Sequence, residues 1–353
     1  MNMNTPNSGK PLVYDLDLDE LTGLVQSWGE PAYRARQIWQ GIYCQLWQLP
    51  EDFTTLSAKL RARMSEALEF SSLHPTAVLK SSDKQTVKTL FHLSDKRAIE
   101  AVLMRYEHRQ TLCISSQAGC AMGCSFCATG QMGFKRHLSS GEIVEQVLYY
   151  ARMLKAEGKV VTNVVVMGMG EPFHNYENTL AAIDRLNHPD GFNLGARRFT
   201  ISTVGLVPMI RKFAAEKRQI NLAISLHAAD DALRSSMMPV NNKYPIAELI
   251  QACRDYVEAT GRRLTFEWAL IQGVNDSPEQ ARALAGLLKG LLCHVNVIPL
   301  NPTSKFQGTG STRQRAEAFQ AELEGAGIPC TVRMRRGIDI QAGCGQLATE
   351  HGN

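Results

Sequence analysis

The sequence predicts an α/β protein built as a partial (β/α)6 barrel, preceded by a small N-terminal helical module and a short β-meander. Short, almost wholly apolar strand candidates recur along the last two-thirds of the chain, as strands buried on both faces require. Amphipathic stretches with helical spacing separate them. Residues of unusual chemistry fall at the C-terminal ends of these strands, the end at which (β/α) barrels build their sites. With 353 residues, 44% of them hydrophobic, the chain can bury a large core and a smaller one beside it.

The first helix is marked by Leu21, Leu24, Val25 and Trp28 at i, i+3, i+4 and i+7 behind the acidic "DLDLDE", and Gly29 and Pro31 stop it. Two more helices, over 32–47 and 50–70, complete a module assigned to residues 1–73. Trp28, Trp39 and Trp47 read as core, while Arg34, Arg36, Arg61 and Arg63 read as an exposed face open to nucleic acid. Over 74–105 the pattern changes to "TAVLK", "TVKTLFHL" and "AIEAVLM" separated by polar turns, an antiparallel meander serving as connector or lid. From 106 to 347 strand candidates follow at 111–116, 163–169, 198–203, 221–226, 264–271, 294–300 and 330–335, with helices between them such as 139–158, 175–188 and 277–292. Residues 348–353 are a tail. A doubly wound sheet is the alternative, but no G-x-G-x-x-G follows the first strand.

A formal net charge of +4 suits an anionic partner without reaching the excess of a typical nucleic-acid-binding domain. Basic clusters at 134–137, 196–199, 261–264 and 332–337 are consistent with a basic face or cleft. No apolar run approaches the length of a membrane helix and the start lacks a signal-peptide pattern, so a cytoplasmic protein with no membrane partner is expected. Nine cysteines in that compartment point to metal binding or catalysis rather than structural disulfides. Cys44, Cys253, Cys293 and Cys330 sit among apolar neighbours and read as small buried hydrophobes.

The stretch "GCAMGCSFCATG" places Cys120, Cys124 and Cys127 on the loop after the first barrel strand, with no fourth cysteine nearby. A structural zinc site is normally closed by four ligands. Three thiolates can instead fill three corners of a four-iron cluster and leave one iron open to a reactant. His137 as a fourth ligand keeps a zinc site open as an alternative. Later strands end in "MGMGEP" (167–172), "STVG" (202–205), "SLH" (225–227) and "PLNP" (299–302).

The C-x3-C-x2-C spacing with a downstream G-E-P resembles the radical S-adenosylmethionine (SAM) superfamily. From about residue 99 to 347, "TLCISSQAGCAMGCSFCATG", "MGMGEPFHN", "ISTVGLVPMI", "LAISLHAA", "GVNDS", "CHVNVIPLNP" and "GIDIQAGCGQLA" together resemble the RlmN/Cfr family of adenosine methyltransferases acting on 23S rRNA. The resemblance implies one [4Fe-4S] cluster on Cys120, Cys124 and Cys127, and two SAM molecules per turnover. It implies SAM contacts at Gly170, Glu171, Ser202, Ser225, Leu226, His227 and Asn301. Cys344 would carry the methyl as S-methylcysteine, a 5′-deoxyadenosyl radical would activate it, Glu100 would remove a proton from the adduct, and Cys113 would release product through a transient disulfide with Cys344. The implied partners are 23S rRNA, transfer RNA as an open second substrate, and a low-potential electron donor such as flavodoxin. Pro172 matches the carbon-2 branch, with the carbon-8 branch as the alternative and a zinc-bearing, non-catalytic RNA-binding protein as the distant one. Gly168 and Gly170 are read as bringing backbone carbonyls close to SAM, and Gly343 and Gly345 as loosening the loop around Cys344.

Overall fold

The computed structural model describes residues 9–303, 305–333 and 336–347. Residues 1–8 of the N-terminal module, residue 304 of the loop at 301–312, residues 334–335 of the last strand candidate and basic cluster, and the tail at 348–353 lie outside the described residues.

Helix α1 (Leu18–Ser27) starts at Asp17, whose carboxylate accepts the Glu20 N–H at 2.8 Å while the Glu20 carboxylate accepts the Asp17 N–H at 2.8 Å. It is followed by α2 (Tyr33–Tyr43) and α3 (Ala58–Ala67). The helix expected from residue 50 begins only at Ser57, whose hydroxyl caps Leu60 N. Before it, Pro50–Asp52 form a single 3-10 turn that Phe53 ends in a non-helical conformation. Buried Leu21, Val25, Ile38 and Trp39 belong to the same apolar cluster as the barrel's helices and strands. Polar ties reinforce the join: Asp15 accepts the Gly141 N–H at 2.6 Å and Arg152 donates to the Leu46 carbonyl at 2.9 Å. Arg34 and Arg61 are half-buried rather than exposed, and exposed Arg36 faces Asp190 at 3.5 Å.

Strands β1 (Leu73–Lys80), β2 (Thr86–Leu93) and β3 (Ala98–Arg105) form the antiparallel meander. It continues into β4 (Gln110–Cys113), so the meander is the edge of the main sheet rather than a separate cover. A short hairpin of β5 (Gln117–Gly119) and β6 (Phe134–His137) closes the base of the cysteine loop, which also holds α4 (Ala128–Gln131). The sequence reading takes 134–137 only as a basic cluster. Its pairing depends on contacts that local pattern does not carry.

Parallel strands β7 (Asn163–Val166), β8 (Phe199–Thr203), β9 (Asn221–Ser225), β10 (Leu264–Leu270), β11 (Cys293–Pro299) and β12 (Cys330–Val332) then follow β4 in spatial order. Helices α5 (Ser140–Lys155), α6 (Tyr176–Asn187), α7 (Val207–Glu216), α8 (Asp231–Met237), α9 (Ile246–Thr260), α10 (Pro278–Leu288) and α11 (Arg313–Gly325) connect them. The six strands β4 and β7 to β11, each with its helix, are the expected (β/α)6 partial barrel, and three-residue β12 lies at its far edge. β8 ends at Thr203 as assigned from sequence, while β4, β7, β9, β10 and β11 stop one to three residues short of their assignments, because their terminal residues bend away into the loops at the site. Across the near edge, Lys88, Val102, Cys113 and Val165 are successive register partners on β2, β3, β4 and β7. Among the described residues no helix is long and apolar enough to cross a membrane.

Candidate active site

The cysteine loop hangs from the end of β4 and is fixed at its root. Cys120 N–H donates to the Gly133 carbonyl at 3.1 Å, and the Gln117 amide nitrogen lies 3.0 Å from His137 Nδ1 and 3.1 Å from His174 Nδ1. Behind the loop, Phe126, Met237, Met238, Ala269, Ile271 and Leu300 form a small apolar cluster that includes Cys124 and keeps water from that side. All three loop cysteines line one cavity of about 990 Å³, counting its open mouth. Burial pushes the Cys120 thiol up to about 12 and raises Cys124 and Cys127 as well. A cationic centre would reverse that preference and take the sulfurs as thiolates.

The carboxyl ends of β7, β8, β9 and β11 supply the opposite wall. Glu171 accepts the N–H groups of Phe173 and Val204 at 3.0 and 2.9 Å, yet burial still lifts its carboxyl to about 7. Ser202 and Ser225 place their hydroxyls 3.4 Å apart on this wall. His227 has a left-handed backbone (φ 60°), and its Nδ1 accepts the Ala269 N–H at 2.9 Å, which leaves the ring proton on Nε2. Burial, aided by Arg234, lowers the ring to about 3, so it is a neutral group of the cavity wall. Gly170 has φ 105°, and a β-carbon there would lie 2.6 Å from the Gln117 side chain. The glycine is therefore demanded by packing against Gln117 at the start of β5, beyond the close carbonyl approach expected from sequence.

A second cavity of about 830 Å³ adjoins the first through Cys127, Asn301 and Cys344, and Cys113 lies on its wall. The two thiols expected to act together thus face one space, although they are 231 positions apart in sequence. Burial, then the neighbouring Cys344, pushes Cys113 up to about 12, while Arg333 works in the opposite direction. Cys344 is solvent-accessible but walled by protein, which raises its thiol too, again against Arg333. Both are free thiols.

The Cys344 loop is held on three sides. Asn301 donates to the Cys344 carbonyl at 3.1 Å, Ala128 N–H to the Gly345 carbonyl at 2.8 Å, and Thr129 to the Leu347 carbonyl at 2.6 Å. Gly343 allows this fit: a β-carbon there would meet the Asn301 amide at 2.5 Å. The sequence reading of that glycine as a source of looseness is corrected, since the missing side chain serves close packing.

Two expected site residues lie off the walls of both cavities. Leu226 is fully buried, and it contributes its carbonyl, which accepts from Arg234 at 3.1 Å. Glu100, which sequence alone would leave on the surface, is 1% exposed and paired with Lys88 at 2.9 Å. His137 is engaged with Gln117, and among the described residues no three His, Cys, Asp or Glu side chains converge as ligands of a single ion. Zinc donors must all lie about 2.3 Å from one point. Cys44 is also corrected: it is exposed at the end of α2, its sulfur 3.2 Å from the Gly191 carbonyl, whereas Cys253, Cys293 and Cys330 are buried.

Sequence reasoning missed Glu267, Arg234 and Asn275. Glu267 interrupts apolar β10 in "TFEWALI", a legible signal, since a carboxylate in a doubly buried strand needs a purpose. It accepts from Asn296 at 2.9 Å, and its Oε2 lies 4.0 Å from the Arg333 guanidinium; that oxygen and the Asn301 Oδ1 are buried at the first cavity without a hydrogen bond. Fully buried Arg234 gathers the carbonyls of Val204, Ser225 and Leu226, and Asn275 those of His227 and Ala269. Both tie the strand ends together, a role visible only in three dimensions. Three thiols on one loop, a large adjoining cavity and two unsatisfied buried acceptors fit a [4Fe-4S] cluster with an amine- and hydroxyl-bearing ligand such as SAM.

Residues 114–285 match the Radical SAM superfamily, and residues 13–70 match the ribosomal RNA large subunit methyltransferase N-terminal domain. The chain is 51% identical over 350 residues to the "Probable dual-specificity RNA methyltransferase RlmN" of Chloroflexus aurantiacus, covering 96% of this chain and 93% of that one. It is 48% identical to the "Dual-specificity RNA methyltransferase RlmN 1" of Myxococcus xanthus, covering 97% and 95%. A crystal structure of a radical SAM methyltransferase from Sphaerobacter thermophilus superposes with a TM-score of 0.94 at 51% identity, covering 96% of this chain and 99% of that one.

Proposed function

The chain belongs to the RlmN-type radical SAM RNA methyltransferases, and we propose that it methylates carbon 2 of an adenosine in 23S rRNA, with an adenosine of transfer RNA as a second substrate. The observation that carries this reading is the meeting of Cys113 and Cys344 in one cavity that opens beside Cys120, Cys124 and Cys127. Adenine carbon 2 is electron-poor, so it cannot displace a methyl from SAM by ordinary attack. A carrier thiol and a radical route remove that obstacle.

Cys120, Cys124 and Cys127 would hold the cluster, and Gly170, Glu171, Ser202, Ser225, His227 and Asn301 would line the SAM site. Bound there, the cluster and SAM supply a methyl group and, after one-electron reduction, a 5′-deoxyadenosyl radical. Cys344 accepts the methyl at sulfur and carries it to the base from a loop anchored by Asn301 and α4. Glu100 accepts the proton lost from the adduct. Cys113, as thiolate, would then attack the Cys344 sulfur: an S–S bond forms, the sulfur–carbon bond breaks, its electron pair stays on the carbon, and that carbon takes up a proton to become the product methyl, leaving a disulfide that the electron donor reduces back to two thiols. Arg333 sits on the wall of this cavity and favours both thiolates. A low-potential protein such as flavodoxin would provide the electrons.

The test is anaerobically reconstituted protein with SAM bearing a trideuterated methyl, a reductant and unmodified 23S rRNA, followed by nucleoside mass spectrometry. 2-Methyladenosine with one deuterium lost is the expected product. 8-Methyladenosine with the same loss moves the protein to the carbon-8 branch. A methyl that keeps all its deuterium overturns the radical reading.

A further inference from the structure

We propose that Lys88 is a positioning residue of the methyl-transfer centre: its ammonium holds the Glu100 carboxylate and, through the Gln341 carbonyl, the loop that presents Cys344. The inference rests on the roles given above to Glu100 and Cys344.

Lys88 and Glu100 lie on neighbouring strands β2 and β3, two residues out of direct register, because Lys88 pairs with Val102 and Glu100 with Leu90. Side chains two apart on a strand share a face. Glu100 therefore shares the face of Val102, whose register partner on β4 is Cys113. Lys88 Nζ is 2.9 Å from Glu100 Oε1 and donates to the Gln341 carbonyl at 3.2 Å, with the two side chains 2% and 1% exposed. One ammonium thus links the proposed base, the face that bears one proposed catalytic cysteine, and a point three residues before the other.

Stability alone is a poor account of this arrangement. Burying an ammonium and a carboxylate costs several kcal/mol per ion in desolvation, and apolar replacements of such pairs are often neutral or stabilising. On the same face of the sheet, buried Leu90 and Val102 flank the pair with apolar side chains, and Thr86 is the one uncharged polar neighbour on β2. The loop, by contrast, needs outside support. Gln341 has a left-handed backbone (φ 52°), which a non-glycine residue holds only when its surroundings insist on it. The β1–β2 hairpin supplies that support twice, through Lys88 at Gln341 and through the Ser82 N–H at 2.7 Å from the Asp339 carboxylate. The meander is thereby a brace for the Cys344 loop, and Lys88 is its buried contact.

Hydrogen–deuterium exchange of residues 337–347 in the full chain reads the positioning directly, without turnover. Lys88→Met should speed exchange of this segment about tenfold, the worth of one charge-assisted hydrogen bond. It should lower methyl transfer by a similar factor while leaving iron content and SAM affinity as in the parent. Lys88→Met/Glu100→Leu, which leaves no lone buried charge, keeps the fold and should show the same loosening of the loop. Unchanged loop exchange in both variants, or normal turnover by Lys88→Met, overturns the proposal. Glu100→Gln measured alongside separates the two readings: normal turnover there removes the base assignment, whereas the exchange result still decides whether Lys88 positions the loop.

Discussion

Replacing Arg234 by leucine tests whether the strand ends at the site are held by one buried guanidinium. Arg234 is fully buried and donates to Leu226 O at 3.1 Å, Asn241 Oδ1 at 2.9 Å, and Val204 O and Ser225 O at 2.7 and 3.2 Å. Leu226 O keeps a second donor in Ala228 N–H, so the acceptors most exposed to loss are Val204 O and Asn241 Oδ1. Each buried acceptor left unsatisfied costs about 1–3 kcal/mol, roughly 2–6 kcal/mol together. Part of this is offset, because leucine also removes a buried charge whose desolvation lowers the arginine to about 10. That relief is on the order of 3 kcal/mol, which against the middle of the cost range leaves a net destabilisation of about 1 kcal/mol. Urea unfolding of the iron-free protein measures it as a lower midpoint at constant slope. Because Val204 follows the strand that carries Ser202 and Ser225 ends the strand that leads into His227, SAM affinity of the reconstituted protein, read by calorimetry, should fall with it. A variant as stable as the parent, binding SAM equally well, would refute the reasoning.

Cys344→Ala should abolish methyl transfer while iron content stays unchanged, and Cys113→Ala should accumulate a covalent protein–RNA adduct visible on a denaturing gel; normal turnover by both variants removes the two-thiol mechanism. Glu267→Gln should weaken SAM binding about tenfold, the worth of one charge-assisted bond to Oε2, and equal affinity in calorimetry would assign that carboxylate to Asn296 and Arg333. His227 is lowered from 6.5 to about 3 in the fold, so between those values the unfolded chain binds the extra proton and stability falls as pH drops. The full loss, on the order of 5 kcal/mol, should be diminished in His227→Asn when acid unfolding of the iron-free forms is compared; identical pH curves would show that the ring is protonated as readily in the fold as outside it.

Much of the site could be read before folding because its chemistry is local. Three cysteines within eight positions and a G-E-P after a strand need only their own spacing to be recognised, and the barrel places both at strand ends. Strand and helix periodicity likewise identified the (β/α)6 architecture, since burial on both sheet faces demands apolar runs whatever their neighbours are. Glu100 was legible only through family resemblance: its partner Lys88 is twelve residues away on another strand, and the register alone brings them together. The same limit hid β6, whose pairing with β5 bridges the cysteine loop.

What the sequence by itself determined, then, is the order of elements and the grouping of three thiols on one loop, because propensity, periodicity and short motifs act between near neighbours. Only the tertiary structure decided that the meander joins the main sheet, that Cys113 and Cys344 share a cavity, and that Arg234, Asn275 and Lys88 hold the surrounding backbone in place. Those facts depend on which distant groups exclude water together, and a buried polar atom finds its partner by proximity in space.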